Sequence, residues 1–474
     1  FVTSTGSILG QSALTVAVED VANASTLKEF HLAGESKLTV VNALDFASTA
    51  VGATVTGTIN LADSTGGSAL TVGADDENIS YTGGSGNDKI TFAATFTAYD
   101  AVDGGDGTDT IALSGITAFN PVTSGSITNT EIIQIEATNN NNITASNFDK
   151  TTATALHWVE NDTTGKNLTV STLKAGDTVG IIQNNNGAVG TATLGLKDAS
   201  GTADELNLEL YGQDATTKAR NTVADVSFTS VETLNITSDV VTTLGNERLV
   251  TANTEANVIT DISADTSLTT INVSGNDNID LTIGGEATLL STFDASGYTG
   301  DMGLTNSAAS NTTYNLGSGN DTIAFGTTLN GSDTVTDAGN RTATTADRIT
   351  ATIAGLSSVT GTGALKTTDV EYIDLTAGTS ASSIDAAGIV GAVHLNVGST
   401  DATAVTITNI AEGVVIGVGN NAATGTDIYK GTLTASLADE TGASDSVTVL
   451  IDNTSGTATD VALSTAATLE NVTV

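Results

Sequence analysis

Apolar residues recur at every second position in short runs along most of the chain. In Leu206-Asn207-Leu208-Glu209-Leu210 three leucines share one face, and Leu268-Thr269-Thr270-Ile271-Asn272-Val273 and Val447-Thr448-Val449 repeat the pattern. A period of two is that of a half-buried strand. Between the runs lie clusters of Gly, Asn, Asp and Ser, such as Asn139 to Asn142 and Asn184-Asn185-Asn186-Gly187, which read as turns. Only short segments, for instance Thr216 to Asn221, leave room for helix.

The runs are ordered. Leu27 to Gly34 matches Leu268 to Gly275, Gly84-Ser85-Gly86-Asn87-Asp88 returns as Gly317-Ser318-Gly319-Asn320-Asp321, and Gly201 to Asp204 returns as Gly442 to Asp445. A Glu with apolar residues at plus two and plus four occurs at Glu131, Glu232, Glu371 and Glu470. Chains rich in Thr, Gly and Asp align with themselves by composition, but composition does not preserve the order of different elements at nearly one offset. The expectation is therefore a tandem duplication, with modules 1–245 and 246–474. The fold class expected is all-β, rich in parallel strands wound as a β-solenoid or β-roll, with sandwich-like pieces between.

Composition narrows the function. In 474 residues there are 14 Lys plus Arg against 54 Asp plus Glu, a formal charge of −40. That balance excludes a nucleic-acid partner and a polybasic grip on anionic lipid. Cys is absent, so disulfides are too. No apolar run approaches the eighteen or so residues of a membrane span, the longest candidates being pieces such as Val414 to Val418. The chain opens on Phe1 and ends on a repeated strand element, which predicts a fragment of a longer protein.

The sharpest local signal is a nonapeptide, Gly-Gly-x-Gly-x-Asp-x-apolar-x. It is complete at Gly83-Gly84-Ser85-Gly86-Asn87-Asp88-Lys89-Ile90-Thr91 and at Gly104-Gly105-Asp106-Gly107-Thr108-Asp109-Thr110-Ile111-Ala112, and lacks only its first Gly at Leu316 to Ile323. Glycines let the backbone curl so that carbonyl oxygens face inward, and the Asp adds carboxylate oxygens, a donor set for a hard cation taking six to eight oxygens. One turn supplies half a site, so a facing turn is expected to supply the rest. The alternative is a set of β-turns that holds no ion. The two complete copies are 21 residues apart, which predicts a strand or loop inserted between them.

The acids available are crowded. Asp88, Asp100, Asp103, Asp106 and Asp109 follow one another in the first module, and Asp321, Asp333, Asp337 and Asp347 keep the same order in the second. Carboxylates at such density repel unless a cation lies among them. The candidate ligand set is completed by Gly83, Ser85, Gly86, Gly104, Gly107, Gly317 and Gly319 in the loops and by Asp204 and Asp445, with Asp198 and Asp439 as companions of the last two. For those four a plain surface turn is an equal reading. Catalytic signals are few: His31, His157 and His394 are the only histidines, the last two at corresponding places in the modules, and neither a Gly-x-Ser-x-Gly elbow nor a His-Glu-x-x-His pair occurs.

The nonapeptides resemble the repeats-in-toxin (RTX) calcium motif. The acidic, Cys-free, Thr/Ala/Gly-rich background with Val-Glu-x-Leu-x-Ile elements is similar to RTX-type surface-layer proteins of Gram-negative bacteria, the Caulobacter and Campylobacter kind. This resemblance implies type I export of an unfolded chain, Ca2+ binding outside the cell, and self-assembly into a two-dimensional lattice on the cell surface. It makes Gly83 to Asp88, Gly104 to Asp109 and Gly317 to Asp321 the ligand turns, places the cell-surface anchor outside these residues, and implies no enzymatic activity. A secreted RTX adhesin, or a calcium-dependent enzyme on a polysaccharide, is the alternative.

Overall fold

In the computed structural model the described residues run from 2 to 473, apart from 5–12, 17–27, 47–56, 115–125, 213–220, 240–255, 338–345, 353–364, 420–431, 453–461, 466–470 and shorter stretches. The segment expected to be helical, the turn at Asn184 to Gly187, Gly442 and Glu470 fall outside them or at their edge. The described residues form strands, with 3₁₀ turns at Ala145–Phe148 and Ala386–Gly388. Among them no helix is long and apolar enough to cross a membrane.

The chain forms two compact units. One comprises Phe1–Thr229 with Asp239–Asn257, the other Ser230–Ser238 with Val258–Val474. In each, successive strands alternate between sheets, so that a strand pairs with the next but one along the chain, except that Lys366–Thr368, Tyr372–Thr376 and Ser382–Asp385 each pair with the third strand along. All described pairings are parallel, which is the geometry of a β-solenoid; a sandwich-like piece would need antiparallel pairs, and none is present among the described residues.

The alternation in the sequence explains the winding. In the first unit the register sets Ile90 beside Ile111, Ile111 beside Ile133, Ile133 beside Leu156, Leu156 beside Val179 and Val179 beside Leu208. All are buried. Each such side chain contributes roughly 1.5–3 kcal/mol by leaving water. Every coil thus adds an apolar layer to the last, and a one-residue slip would turn its whole inner file outward.

Trp158 is fully buried, with its indole N–H donated to Asn141 Oδ1 at 3.0 Å. Next to it, His157 points to the other face and reaches over Gly180 to Glu209, Nε2 to Oε2 at 3.2 Å. A Cβ on Gly180 would lie 2.5 Å from the imidazole, so glycine here is what admits the ring. The second unit repeats this with Asn396 leaning over Gly417. Asn396, two residues beyond His394, therefore occupies the place that corresponds to His157. The correspondence expected between the two histidines is off by one turn of the strand alternation; His394 instead stacks on Tyr372 at 4.9 Å.

Candidate metal centre

The two complete nonapeptides occupy the same corner of adjacent coils of the first unit. Their separation is one full coil: Thr110 is the register partner of Lys89, and Asp88 and Asp109 each stand immediately before a strand of the same sheet, Lys89–Phe92 and Thr110–Ser114. The loops are therefore stacked, with the strand Ala101–Asp103 between them in the chain. Hydrogen bonds tie them: Gly83 N–H to Asp103 O at 2.7 Å, Asp106 N–H to Gly84 O at 2.9 Å and Thr108 N–H to Asn87 Oδ1 at 3.0 Å. Stacking this close requires bare backbone, since a Cβ on Gly83 would sit 1.8 Å from the Gly104 carbonyl oxygen. Gly107, at φ +128°, adopts a conformation that L side chains rarely enter.

Through this corner runs a ladder of carboxylates. Asp88 Oδ2 accepts the N–H of Gly84 at 2.8 Å, closing its own loop. The N–H of Asp88 is donated to Asp109 Oδ1 on the next coil at 2.7 Å, and the N–H of Asp109 to Glu131 Oε2 on the coil after that, also at 2.7 Å. Asp88 and Asp109 are each 2 % exposed. Each has an oxygen to spare: Asp88 Oδ1, beside the Ser68 hydroxyl, closes no hydrogen bond, nor does Asp109 Oδ2. Burial pushes the Asp88 carboxyl above its ordinary range. Burial, followed by the charges of Asp88, Glu131 and Asp103, pushes Asp109 up to about 7.

The second unit builds the same ladder. The Asp321 carboxylate accepts from Met302 N–H at 3.0 Å and Gly317 N–H at 3.1 Å. The N–H of Asp321 goes to Asp347 Oδ1 at 2.8 Å and that of Asp347 to Glu371 Oε2 at 3.1 Å. Gly319 packs against the Gly300 carbonyl, where a Cβ would lie 2.1 Å from the oxygen. Here a third acid joins. Asp321, Asp337 and Asp347 are all buried and offer carboxylate oxygens within 4.8 Å of one another. Burial and the adjacent acids push Asp321 up to about 7 and Asp347 to about 8.

Three buried carboxylates so close are unfavourable as free anions. They stand if protonated or if a cation is bound among them, and an all-oxygen set of carboxylates beside loop carbonyls suits a hard divalent ion such as Ca2+. The spare buried oxygens of Asp88 and Asp109 fit the same donor chemistry in the first unit.

Other candidates have different surroundings. Asp100 and Asp333 are buried and, like Asp321, spend both oxygens on backbone, but neither stands among gathered acids: Asp100 takes Ile79 N–H at 2.7 Å and Thr97 N–H at 2.6 Å, and Asp333 takes Thr312 N–H at 2.9 Å and Asn330 N–H at 2.8 Å. They staple one coil to the previous one. Asp103 is half-buried and accepts from Asn129 Nδ2 at 2.8 Å, whereas its counterpart Asp337 belongs to the trio. Ser85 and Asp106 are exposed at the loop tips, and Gly86 and Gly104 lie against the neighbouring coil. Asp204 and Asp445 are half-buried outside the two corners, each immediately before a strand; Asp204 accepts from Gly201 N–H at 3.2 Å. Asp198 and Asp439 accept both N–H and hydroxyl of Ser200 and Thr441, closing exposed turns.

Glu131 and Glu371 were read in the sequence only as strand markers. The signal that relates them to the Asp residues is spacing: Asp88, Asp109 and Glu131, like Asp321, Asp347 and Glu371, all stand two residues before an inward isoleucine. Against known proteins the chain matches no family model, no curated protein and no solved structure.

Proposed function

We propose that the chain is a non-catalytic, calcium-loaded structural unit of a bacterial surface layer, exported unfolded and assembled with copies of itself into a two-dimensional coat. The observation that carries the calcium part is the buried group Asp321, Asp337 and Asp347, set in a stacked glycine-rich corner. The resemblance to RTX surface-layer proteins carries the assembly part, and the matching acid series of the two units favours a duplicated lattice module. Calcium then does two things. It neutralises clustered carboxylates so that a chain at −40 packs against itself. It also couples export to folding, because sites of weak extracellular affinity, roughly 10⁻⁴ to 10⁻³ M, stay empty in the cytosol and fill outside.

The test is light scattering with circular dichroism while calcium is raised from chelator to about 10 mM, bracketing such weak sites. Strand formation followed by sheet-like particles under the electron microscope supports the proposal. A folded but strictly monomeric product moves the chain to the adhesin class, and turnover of a polysaccharide moves it to the enzymes.

A further inference from the structure

Five side-chain oxygens around one corner of the first unit are buried and close no hydrogen bond: the hydroxyls of Ser64, Ser68 and Tyr81, Asp88 Oδ1 and Asp109 Oδ2. Each of these residues is at most 2 % exposed. Register explains the gathering. Ala69, Lys89, Thr110 and Ile132 pair in turn, so the residues immediately before them, Ser68, Asp88, Asp109 and Glu131, form one file along the corner. Tyr81 reaches the file from another sheet. In Ile79–Thr82 the buried positions are Ile79 and Tyr81, so the phenol points into the core just before the loop that Gly83 opens. Ser64 flanks the same loop, its carbonyl taking Ser85 N–H at 2.9 Å.

The Ser68 hydroxyl lies next to both the Tyr81 phenol and the Asp88 carboxyl, and Tyr81 also feels the charge of Asp109. Burial, then the charge of Asp88, lifts the phenol well above its ordinary range, so at neutral pH it is a neutral oxygen donor. Among the described residues neither Asp88 nor Asp109 enters an ion pair. Lys89 alternates with the inward Ile90 and so stands on the opposite face of its strand. Folded chains leave few buried hydroxyls unbonded, and three of them beside two spare carboxylate oxygens mark a place where another atom makes the contacts. A water molecule would meet the hydroxyls but would not balance two carboxylates; a divalent cation does both.

The second unit differs. There the phenol beside Asp321, that of Tyr298, donates to the Asp277 carbonyl, both oxygens of Asp321 hold N–H groups, and Asp337 joins as a third acid.

We propose that the first unit holds a calcium ion of its own inside the coil, ligated by the hydroxyls of Ser68 and Tyr81 with Asp88 Oδ1 and Asp109 Oδ2. Neither hydroxyl belongs to the nonapeptides, so the loops supply the acids and the strands before them complete the site. Calcium suits it better than magnesium, which holds its own waters and demands a regular octahedron. Affinity follows the number of charged ligands, so this site, with two carboxylates against three, is the weaker and fills second. The inference rests on the calcium reading above and adds to it a second ligand set.

The experiment is calorimetric titration of calcium into the full chain, with terbium emission excited through tyrosine as a second readout. Two binding steps are expected, the tighter assigned to the trio by its loss in Asp337→Asn. Tyr81→Phe keeps the ring and removes one oxygen. It should weaken the second step about tenfold, the loss of one contact to a charged group, and leave the first unchanged. It should also abolish the terbium emission that grows with the second step, since the sensitising phenol is gone. Ser68→Ala should weaken the same step, and it replaces the phenylalanine variant if circular dichroism shows strand loss. A single class of sites in the wild type, or a second step unaltered in both variants, overturns the inference while the trio keeps its calcium. A loss confined to the tighter step overturns it as well. A wild-type chain that gives neither heat nor emission overturns the calcium reading itself.

Discussion

Asp109 takes the backbone N–H of Asp88 on one carboxylate oxygen, at 2.7 Å, and keeps the other buried with no hydrogen bond. The first oxygen joins coils and the second is left for a ligand. Asp109→Asn keeps an acceptor for the first role and removes the charge needed for the second. The variant should melt at or above the wild-type temperature in chelator, because a buried like charge is gone, and should lose most of the calcium-induced rise. Melting curves with and without calcium check this.

Asp100 makes a contrast. Both of its oxygens hold backbone N–H groups, so Asp100→Ala strands two amides and should cost about 1–3 kcal/mol whether or not calcium is present. Equal losses of unfolding free energy in chelator and in calcium are expected. A loss confined to calcium would make Asp100 a ligand.

The pH dependence has a definite sign. Burial and neighbouring carboxylates raise Asp109 and Asp321 to about 7 and Asp347 to about 8 in the folded chain. Unfolded, they titrate near 3.9. The folded state therefore binds more protons between these values. In chelator, the stability that these three groups contribute should be full below about pH 4 and be lost as pH rises through about 8. With calcium bound the ion replaces those protons and the slope should flatten. Denaturant midpoints across pH, in both conditions, measure it.

Much of this was legible in the sequence. The period of two predicted strands, the nonapeptides located the corner, and the crowded acids of the second module included the trio without setting it apart from Asp333. Two things were hidden. A spacing of 21 residues is one coil, but coil length depends on how far each turn reaches, so stacking and facing loops read alike. Likewise the trio Asp321, Asp337 and Asp347 differs from the staple Asp333 only in which way each carboxylate turns, and a sequence does not carry that direction. Glu131 and Glu371 were written in the pattern as residues two before an inward isoleucine, yet their own strand-starting role concealed their place in the ladder.

Gly180 tests the packing away from the corner. A methyl group there would press on His157, so Gly180→Ala should separate the imidazole from Glu209 and cost about 1–3 kcal/mol. Calcium dependence should be untouched, as read by the same melting curves.

The most direct test of the central claim is the melting temperature as calcium is raised, for the wild-type chain and for Asp337→Asn with Asp347→Asn. If a cation is held by the buried carboxylates, the wild-type temperature climbs with the logarithm of calcium, by about 2.7 kcal/mol of added stability per site at a hundredfold excess over Kd. The double variant should climb far less while melting no lower in chelator. A wild-type chain whose melting temperature ignores calcium, or a double variant that climbs equally, would contradict the account.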